Sequence, residues 1–222
     1  IVTSTDLKTW TAIDPLPTKL FFDVSWSGSL FVAVGASGSI LSSVNGIDWI
    51  PQSIMGTAKP LIAGVEWQEN KFIAVGSGGM ILTGSPDGAT WEAQKIAGIS
   101  DSVTLQATSF NGAEHIVVGD KGKILLSNNA LNWQISSSGV VDNFNDALWT
   151  GSEFVTVGNN SRVGTSENGV DWTFQDSLGT ANLRGVATDT STGTGVHVAV
   201  GQNGSIYRST DPKTTWSLVR GD

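Results

Sequence analysis

The sequence predicts an all-β fold assembled from repeated four-stranded units, and three observations predict it. A phrase of serine, an acidic or amide residue two places on, and then a tryptophan is written six times in 222 residues. Successive tryptophans of the phrase lie 39, 42, 42, 39 and 44 residues apart, a period at which one repeat makes one propeller blade or solenoid unit. The glycines fall once per turn in step with the repeat, so the 27 of them are accounted for by hairpins.

Aligning the copies on Val34-Gly35, Val75-Gly76, Val118-Gly119, Val157-Gly158 and Val200-Gly201 sorts the flanking residues into columns. The first column set, Val24-Ser25-Trp26 or Val65-Glu66-Trp67, alternates apolar and polar residues as a two-faced strand does. A polar turn such as Ser27-Gly28-Ser29 leads to a second strand, Phe31-Val32-Ala33-Val34, whose small and β-branched residues suit burial on both faces. A glycine turn, Ala36-Ser37-Gly38, gives the third strand, Ile40-Leu41-Ser42, and the serine-tryptophan phrase makes the hairpin into the fourth.

The six phrases pair Asp6 with Trp10, Asn45 with Trp49, Asp87 with Trp91, Asn129 with Trp133, Asn168 with Trp172 and Asp211 with Trp216. An Asp or Asn side chain there can accept hydrogen bonds from backbone amides of its own turn, and the tryptophan can pack beneath the loop. The phrase resembles the Asp-box, or BNR, repeat. Five copies are one residue shorter than that repeat's usual form, and with the preceding Phe-x-Ala-Val-Gly-x-x-Gly-x-Ile-Leu run this short form is similar to bacterial propellers related to photosystem II assembly factors. The resemblance covers essentially the whole chain and implies a β-propeller of four-stranded antiparallel blades. Repeats of this kind occur in sialidases, lectin-like proteins and assembly factors alike.

Counting strands gives a half blade over about residues 1–16, holding only third and fourth strands. Five complete blades follow, over approximately 17–57, 58–99, 100–138, 139–178 and 179–222. All belong to one propeller domain, the expectation being part of a ring of six or seven blades with exposed strand edges that invite contact with another chain. The formal charge of -8 argues against a nucleic-acid backbone or an anionic membrane as partner. Cysteine is absent, no apolar run is long enough to span a bilayer, and no metal-ligand spacing occurs, so no cofactor or metal is expected.

Several residues invite a catalytic reading. His115 and His197 stand in the column of Phe31, Phe72 and Phe154, where a planar ring packs. Tyr207, a sialidase-type nucleophile by resemblance alone, stands in the column of Leu41, Leu82 and Leu125, and the four arginines do not offer that family's converging triad. Asp23 and Asp146 share a position three before the first-strand tryptophan and are the remaining pair for a two-carboxylate glycosidase, set against a solvated or capping role. Trp26, Trp67 and Trp149 form a second tryptophan column suited to packing or to stacking on a sugar.

Recognition is expected on the loop face that varies from copy to copy. Turns between second and third strands there carry Asp120, Lys121, Lys123, Asn159, Asn160, Arg162, Gln202 and Asn203. Loops entering the first strands add Lys59, Asp101, Asp142, Asn143, Asn145, Asn182 and Arg184. The leading expectation is a non-catalytic binding or scaffold propeller, secreted, periplasmic or displayed at a bacterial cell surface, that recognises a protein or glycan on this face. A lectin or sialidase-like glycoside hydrolase, and a structural module of a larger surface protein, are the alternatives.

Overall fold

The computed structural model describes residues 1–13, 19–56, 59–175, 178–189 and 195–221. The chain forms two compact units, Ile1–Ala97 and Gly98–Asp222. The first holds a two-stranded sheet, β1 (Val2–Thr3) and β2 (Thr11–Ala12), and two four-stranded sheets. These are β3 (Phe21–Trp26), β4 (Phe31–Gly35), β5 (Ile40–Ser43), β6 (Ile50–Gln52), and β7 (Ile62–Gln68), β8 (Lys71–Gly76), β9 (Met80–Gly84), β10 (Trp91–Lys95).

The second unit holds three four-stranded sheets. They are β11 (Leu105–Phe110), β12 (His115–Gly119), β13 (Lys123–Ser127), β14 (Gln134–Ser137); β15 (Phe144–Trp149), β16 (Phe154–Gly158), β17 (Val163–Ser166), β18 (Thr173–Phe174); and β19 (Leu183–Asp189), β20 (Val196–Gly201), β21 (Ile206–Asp211), β22 (Thr215–Arg220). Every sheet is an antiparallel meander in chain order, the five blades and the half blade that the columns predict. The expected joints at residues 16–17 and 57–58 lie outside the described residues.

The second strand β16 is buried on both faces because a sheet of its own unit lies against each. Val32, Val34, Leu30 and Ile40 of one sheet pack on Ile62, Val65, Phe72, Ala74 and Trp91 of the next. In the second unit Ile116, Val118 and Ile124 meet Phe144, Ala147 and Phe154. Val155, Val157 and Val163 then meet Leu183, Ala199, Tyr207 and Trp216. Each fully buried aliphatic side chain of this kind contributes about 1.5–3 kcal/mol.

Close approach explains the glycine of the Val-Gly pair. A Cβ at Gly35, Gly76, Gly119, Gly158 or Gly201 would run into the carbonyl of the residue before the first strand, Leu20, Leu61, Thr104, Asn143 or Asn182 respectively. Those carbonyls also accept the N–H of the residue after the glycine, as in Ala36 to Leu20 at 2.9 Å and Asn159 to Asn143 at 2.9 Å. A side chain at the glycine would therefore push strands one and two apart.

The turn that follows takes two residues in the left-handed region, Ser37 and Gly38, Gly78 and Gly79, Lys121 and Gly122, Asn160 and Ser161, or Asn203 and Gly204. That is the type I′ hairpin geometry, whose twist matches the strands it joins. Every first strand also carries a bulge at its second residue, seen as a register shift between Phe21 and Asp23, Ile62 and Gly64, Leu105 and Ala107, Phe144 and Asp146, or Leu183 and Gly185. The extra residues include Asn145 and Arg184, re-aimed out of the ladder.

Candidate functional site

The six serine phrases close their turns by one plan. The serine hydroxyl meets the third-residue side chain at 3.0 Å in Ser4–Asp6, 3.1 Å in Ser43–Asn45 and Ser127–Asn129, and 3.2 Å in Ser166–Asn168. The same side chain accepts backbone N–H groups two and three places on, as at Asn45 from Ile47 and Asp48, both 2.9 Å. In Asp6 the bonds from Thr9 N–H and Lys8 N–H hold the carboxyl down to about 2. Trp49, Trp91 and Trp172 donate their indole N–H to Gly46, Gly88 and Gly169 at 2.9 Å, and Trp216 to Pro212 at 3.2 Å. The buried Trp133 Nε1 finds no acceptor, in the copy where Ala130 stands at the glycine position.

Asp23 and Asp146 clasp neighbouring sheets. Asp23 accepts Val24 N–H on one oxygen at 2.8 Å and Val65 N–H on the other at 2.8 Å, joining β3 to β7. Asp146 does the same with Ala147 at 2.8 Å and Val186 at 2.9 Å, joining β15 to β19. The receiving strands carry Gly64 and Gly185 in the aspartate column, which leaves their edges open to the carboxylate. Burial pushes the Asp23 carboxyl above its ordinary value against the pull of the two N–H donors.

The histidines fill aromatic slots. His115 stacks on Phe110 at 4.3 Å and meets Trp133 edge-on at 6.3 Å, as Phe72 sits between Trp67 at 4.7 Å and Trp91 at 6.1 Å. His197 lies 3.0 Å from Thr188 Oγ1 and 6.4 Å from Trp216, and burial pushes its pKa down. Tyr207 is buried against β16 and β17, its hydroxyl 3.4 Å from Ser161 Oγ. Trp26, Trp67 and Trp149 each lie against the ring opposite, Phe31, Phe72 and Phe154, with centroids 4.1, 4.7 and 4.8 Å apart, so each already packs on an aromatic neighbour.

On the variable loops the second unit builds a polar rim tied from sheet to sheet. Lys121 N–H donates to Asn143 Oδ1 at 2.9 Å, and Asn160 N–H to Asn182 Oδ1 at 3.2 Å. Below them Gly122 N–H donates to Asp142 O at 2.8 Å and Ser161 N–H to Ala181 O at 2.6 Å. Asp142 takes Arg162 Nε at 3.1 Å and Asn160 Nδ2 at 2.9 Å, while Arg162 Nη1 reaches Gln175 O at 2.8 Å. Asn145 donates to Asn159 Oδ1 at 3.0 Å and to Leu183 O at 2.6 Å, and accepts Arg184 at 3.4 Å.

Asp120 is turned inward to Thr104 N–H at 3.0 Å and Gln106 at 3.1 Å. Lys121 Nζ rests on Ser102 Oγ at 3.0 Å. Lys123 is half-buried at the start of β13, and Gln202 and Asn203 are exposed on the last turn. Asp142, Asn143, Asn145 and Asn182 thus act as the frame of the rim, a role that residue type alone does not reveal. Lys121, Asn160 and Arg184 remain exposed on it.

A second polar cluster lies at the opposite ends of these strands and escaped sequence reading. Glu153 is buried, one carboxyl oxygen has no hydrogen-bond partner, and Lys213 Nζ stands 3.9 Å from it while bonding Glu167 at 2.5 Å. Burial pushes the Glu153 carboxyl up. The available signal is its column, where the first sheet has the buried Leu30.

Four-stranded antiparallel meanders repeated at blade spacing, with neighbouring first strands clasped at Asp23 and Asp146, define a β-propeller. Solved propellers that resemble it include two YCF48 structures. A YCF48 bound to a D1 peptide aligns over 95% of this chain and 71% of its own with a TM-score of 0.70 and 16% identity. YCF48 from Cyanidioschyzon merolae aligns over 95% and 74%, with a TM-score of 0.68 and 19% identity. No protein-family profile and no curated protein sequence matches the chain.

Proposed function

We propose that this chain is a non-catalytic binding propeller, its six turn phrases short Asp-box repeats, that holds an extended peptide segment of a protein partner on the rim of its second unit. The carrying observation is the pinning of the exposed turns at Lys121 and Asn160 by the side chains of Asn143 and Asn182. Donors held in place before a ligand arrives spare the ordering cost of binding. The likeness to a propeller that was solved with a peptide supports a protein rather than a glycan as partner.

Lys121 and Arg184 are exposed cations on this rim, in a chain whose formal charge is -8, so the segment carries acidic residues at the spacing of these two. Panning a displayed library of unstructured peptides tests this. Acidic sequences should be enriched, and K121E/R184E should weaken their binding at least about tenfold, or roughly 1.4 kcal/mol. Enrichment of nothing, or binding indifferent to the double variant, would refute the reading. A glycan array that returned a saturable, rim-dependent ligand would replace it with a lectin.

A further inference from the structure

We propose that Asn111-Gly112, in the turn between β11 and β12, is a self-modification site, where the asparagine side chain closes on the next backbone nitrogen, sheds ammonia and reopens with water as aspartate or isoaspartate. The chain holds four Asn-Gly pairs, Asn45-Gly46, Asn111-Gly112, Asn168-Gly169 and Asn203-Gly204. Glycine admits the reaction in principle at each, because no Cβ guards the attacking nitrogen. Their hydrogen bonds and backbone angles set them apart.

The reaction is helped by a side-chain carbonyl polarised by donors and needs a glycine N–H that is free to attack. Asn45 and Asn168 meet the first condition, each accepting two backbone N–H groups at 2.9 Å. They fail the second, because Gly46 and Gly169 give their N–H to Ser43 Oγ and Ser166 Oγ, both at 2.9 Å. At Asn203 a φ of 58° and ψ of 24° set Gly204 N nearly anti to the asparagine Cβ, out of reach of Cγ.

Both conditions meet at Asn111. Its Oδ1 accepts Ala113 N–H at 2.9 Å and Glu114 N–H at 2.7 Å, while among the described residues Gly112 N–H has no acceptor. Gly112 is exposed, and a Cβ built on it would meet nothing within 4 Å. The two donors stabilise the charge that the carbonyl oxygen takes on when the nitrogen adds, as an oxyanion hole does. Gly112 N bonds to Asn111 Cγ and gives up its proton, and the Cγ–Nδ2 bond breaks so that Nδ2 leaves with that proton as ammonia.

Water then opens the five-membered imide at either carbonyl. Opening toward isoaspartate lengthens the main chain within a turn that joins the paired residues Phe110 and His115, whose rings stack at 4.3 Å. Two other sheets make the same turn with no amide to lose. Ser27 Oγ accepts Ser29 and Leu30 N–H at 3.3 and 3.0 Å, and Thr150 Oγ1 accepts Ser152 and Glu153 N–H at 3.3 and 3.1 Å. N111S therefore removes the chemistry and keeps the turn.

The test incubates the intact chain in neutral buffer, with and without concentrated urea, and follows all four asparagines by peptide mapping and mass spectrometry, with isoaspartyl methyltransferase labelling as a second readout. In the folded chain Asn111 should convert at least about fivefold faster than each of the other three, which are held back by a hydrogen bond or by backbone angle. In urea the four rates should draw together, and N111S should lose the fast labelling while its circular-dichroism spectrum is unchanged. Conversion at Asn111 no faster than at Asn45 or Asn168 would overturn the proposal. So would the same ranking in urea, which would assign the rates to neighbouring sequence rather than to the fold.

Discussion

Two chemistries close the six turns, and exchanging one residue between them should break a turn in a predictable way. Where the third residue of the phrase is aspartate the sixth is threonine: Asp6 with Thr9, Asp87 with Thr90, Asp211 with Thr214. Where the third is asparagine the sixth is Asp48, Asn132 or Asp171. The threonine hydroxyl donates to the carboxylate, at 3.3 Å in the first copy and 2.9 Å in the last. The asparagine amide instead donates to the acid, 2.8 Å from Asn45 to Asp48 and 2.9 Å from Asn168 to Asp171.

Asn168→Asp therefore sets two carboxylates against each other where a bond stood. Losing a hydrogen bond to a charged acceptor costs about 1 kcal/mol in this exposed position, and repulsion at near-contact distance in water adds about another. The expected loss is about 2 kcal/mol at neutral pH. The double variant N168D/D171T restores the first chemistry and should recover most of it. Below roughly pH 4 one carboxyl of N168D takes a proton, becomes a donor again, and the penalty should fade. Urea unfolding of the four proteins of the cycle, followed by tryptophan fluorescence at pH 7 and pH 3.5, measures the coupling. A loss under about 0.5 kcal/mol at pH 7, or a double variant no better than N168D, would refute the pairing argument.

Gly158→Ala should cost about 3 kcal/mol or more in the same assay, since its Cβ collides with backbone at Asn143 and strands β15 and β16 must part. Asp146→Ala, which leaves Val186 N–H without its acceptor, should cost about 1–3 kcal/mol, and a loss near zero would dismiss the clasp. Glu153→Leu should stabilise the fold by about 1 kcal/mol at neutral pH, by removing a buried carboxylate with an unsatisfied oxygen. Because the folded protein holds the Glu153 proton more tightly than the unfolded chain, wild-type stability gains as pH falls through the raised value toward the ordinary 4.5. The advantage of E153L should shrink over that window, and thermal melts from pH 7 to pH 4.5 read it directly.

The sequence by itself determined the repeat, the number and order of strands, and the sheets they form. The reason is local: turn chemistry at Ser166-x-Asn168 and alternation along Phe31-Val32-Ala33-Val34 are satisfied within a few residues, so they print themselves in the chain at every copy. Columns sufficed to place His115 and His197 in an aromatic slot and Tyr207 in a packed leucine column, because a residue in a repeat inherits its neighbours' environment.

Only the tertiary structure decided what the polar residues do. Asp23 and Asp146 look like a carboxylate pair until the N–H groups of Val65 and Val186, some forty residues on, turn out to bind them. The first-strand bulge that re-aims Asn145 and Arg184, and the partners of Asn143 and Asn182, are likewise invisible in the columns. A polar side chain takes its role from a donor or acceptor that another sheet supplies, and contacts at that separation leave no period in the sequence.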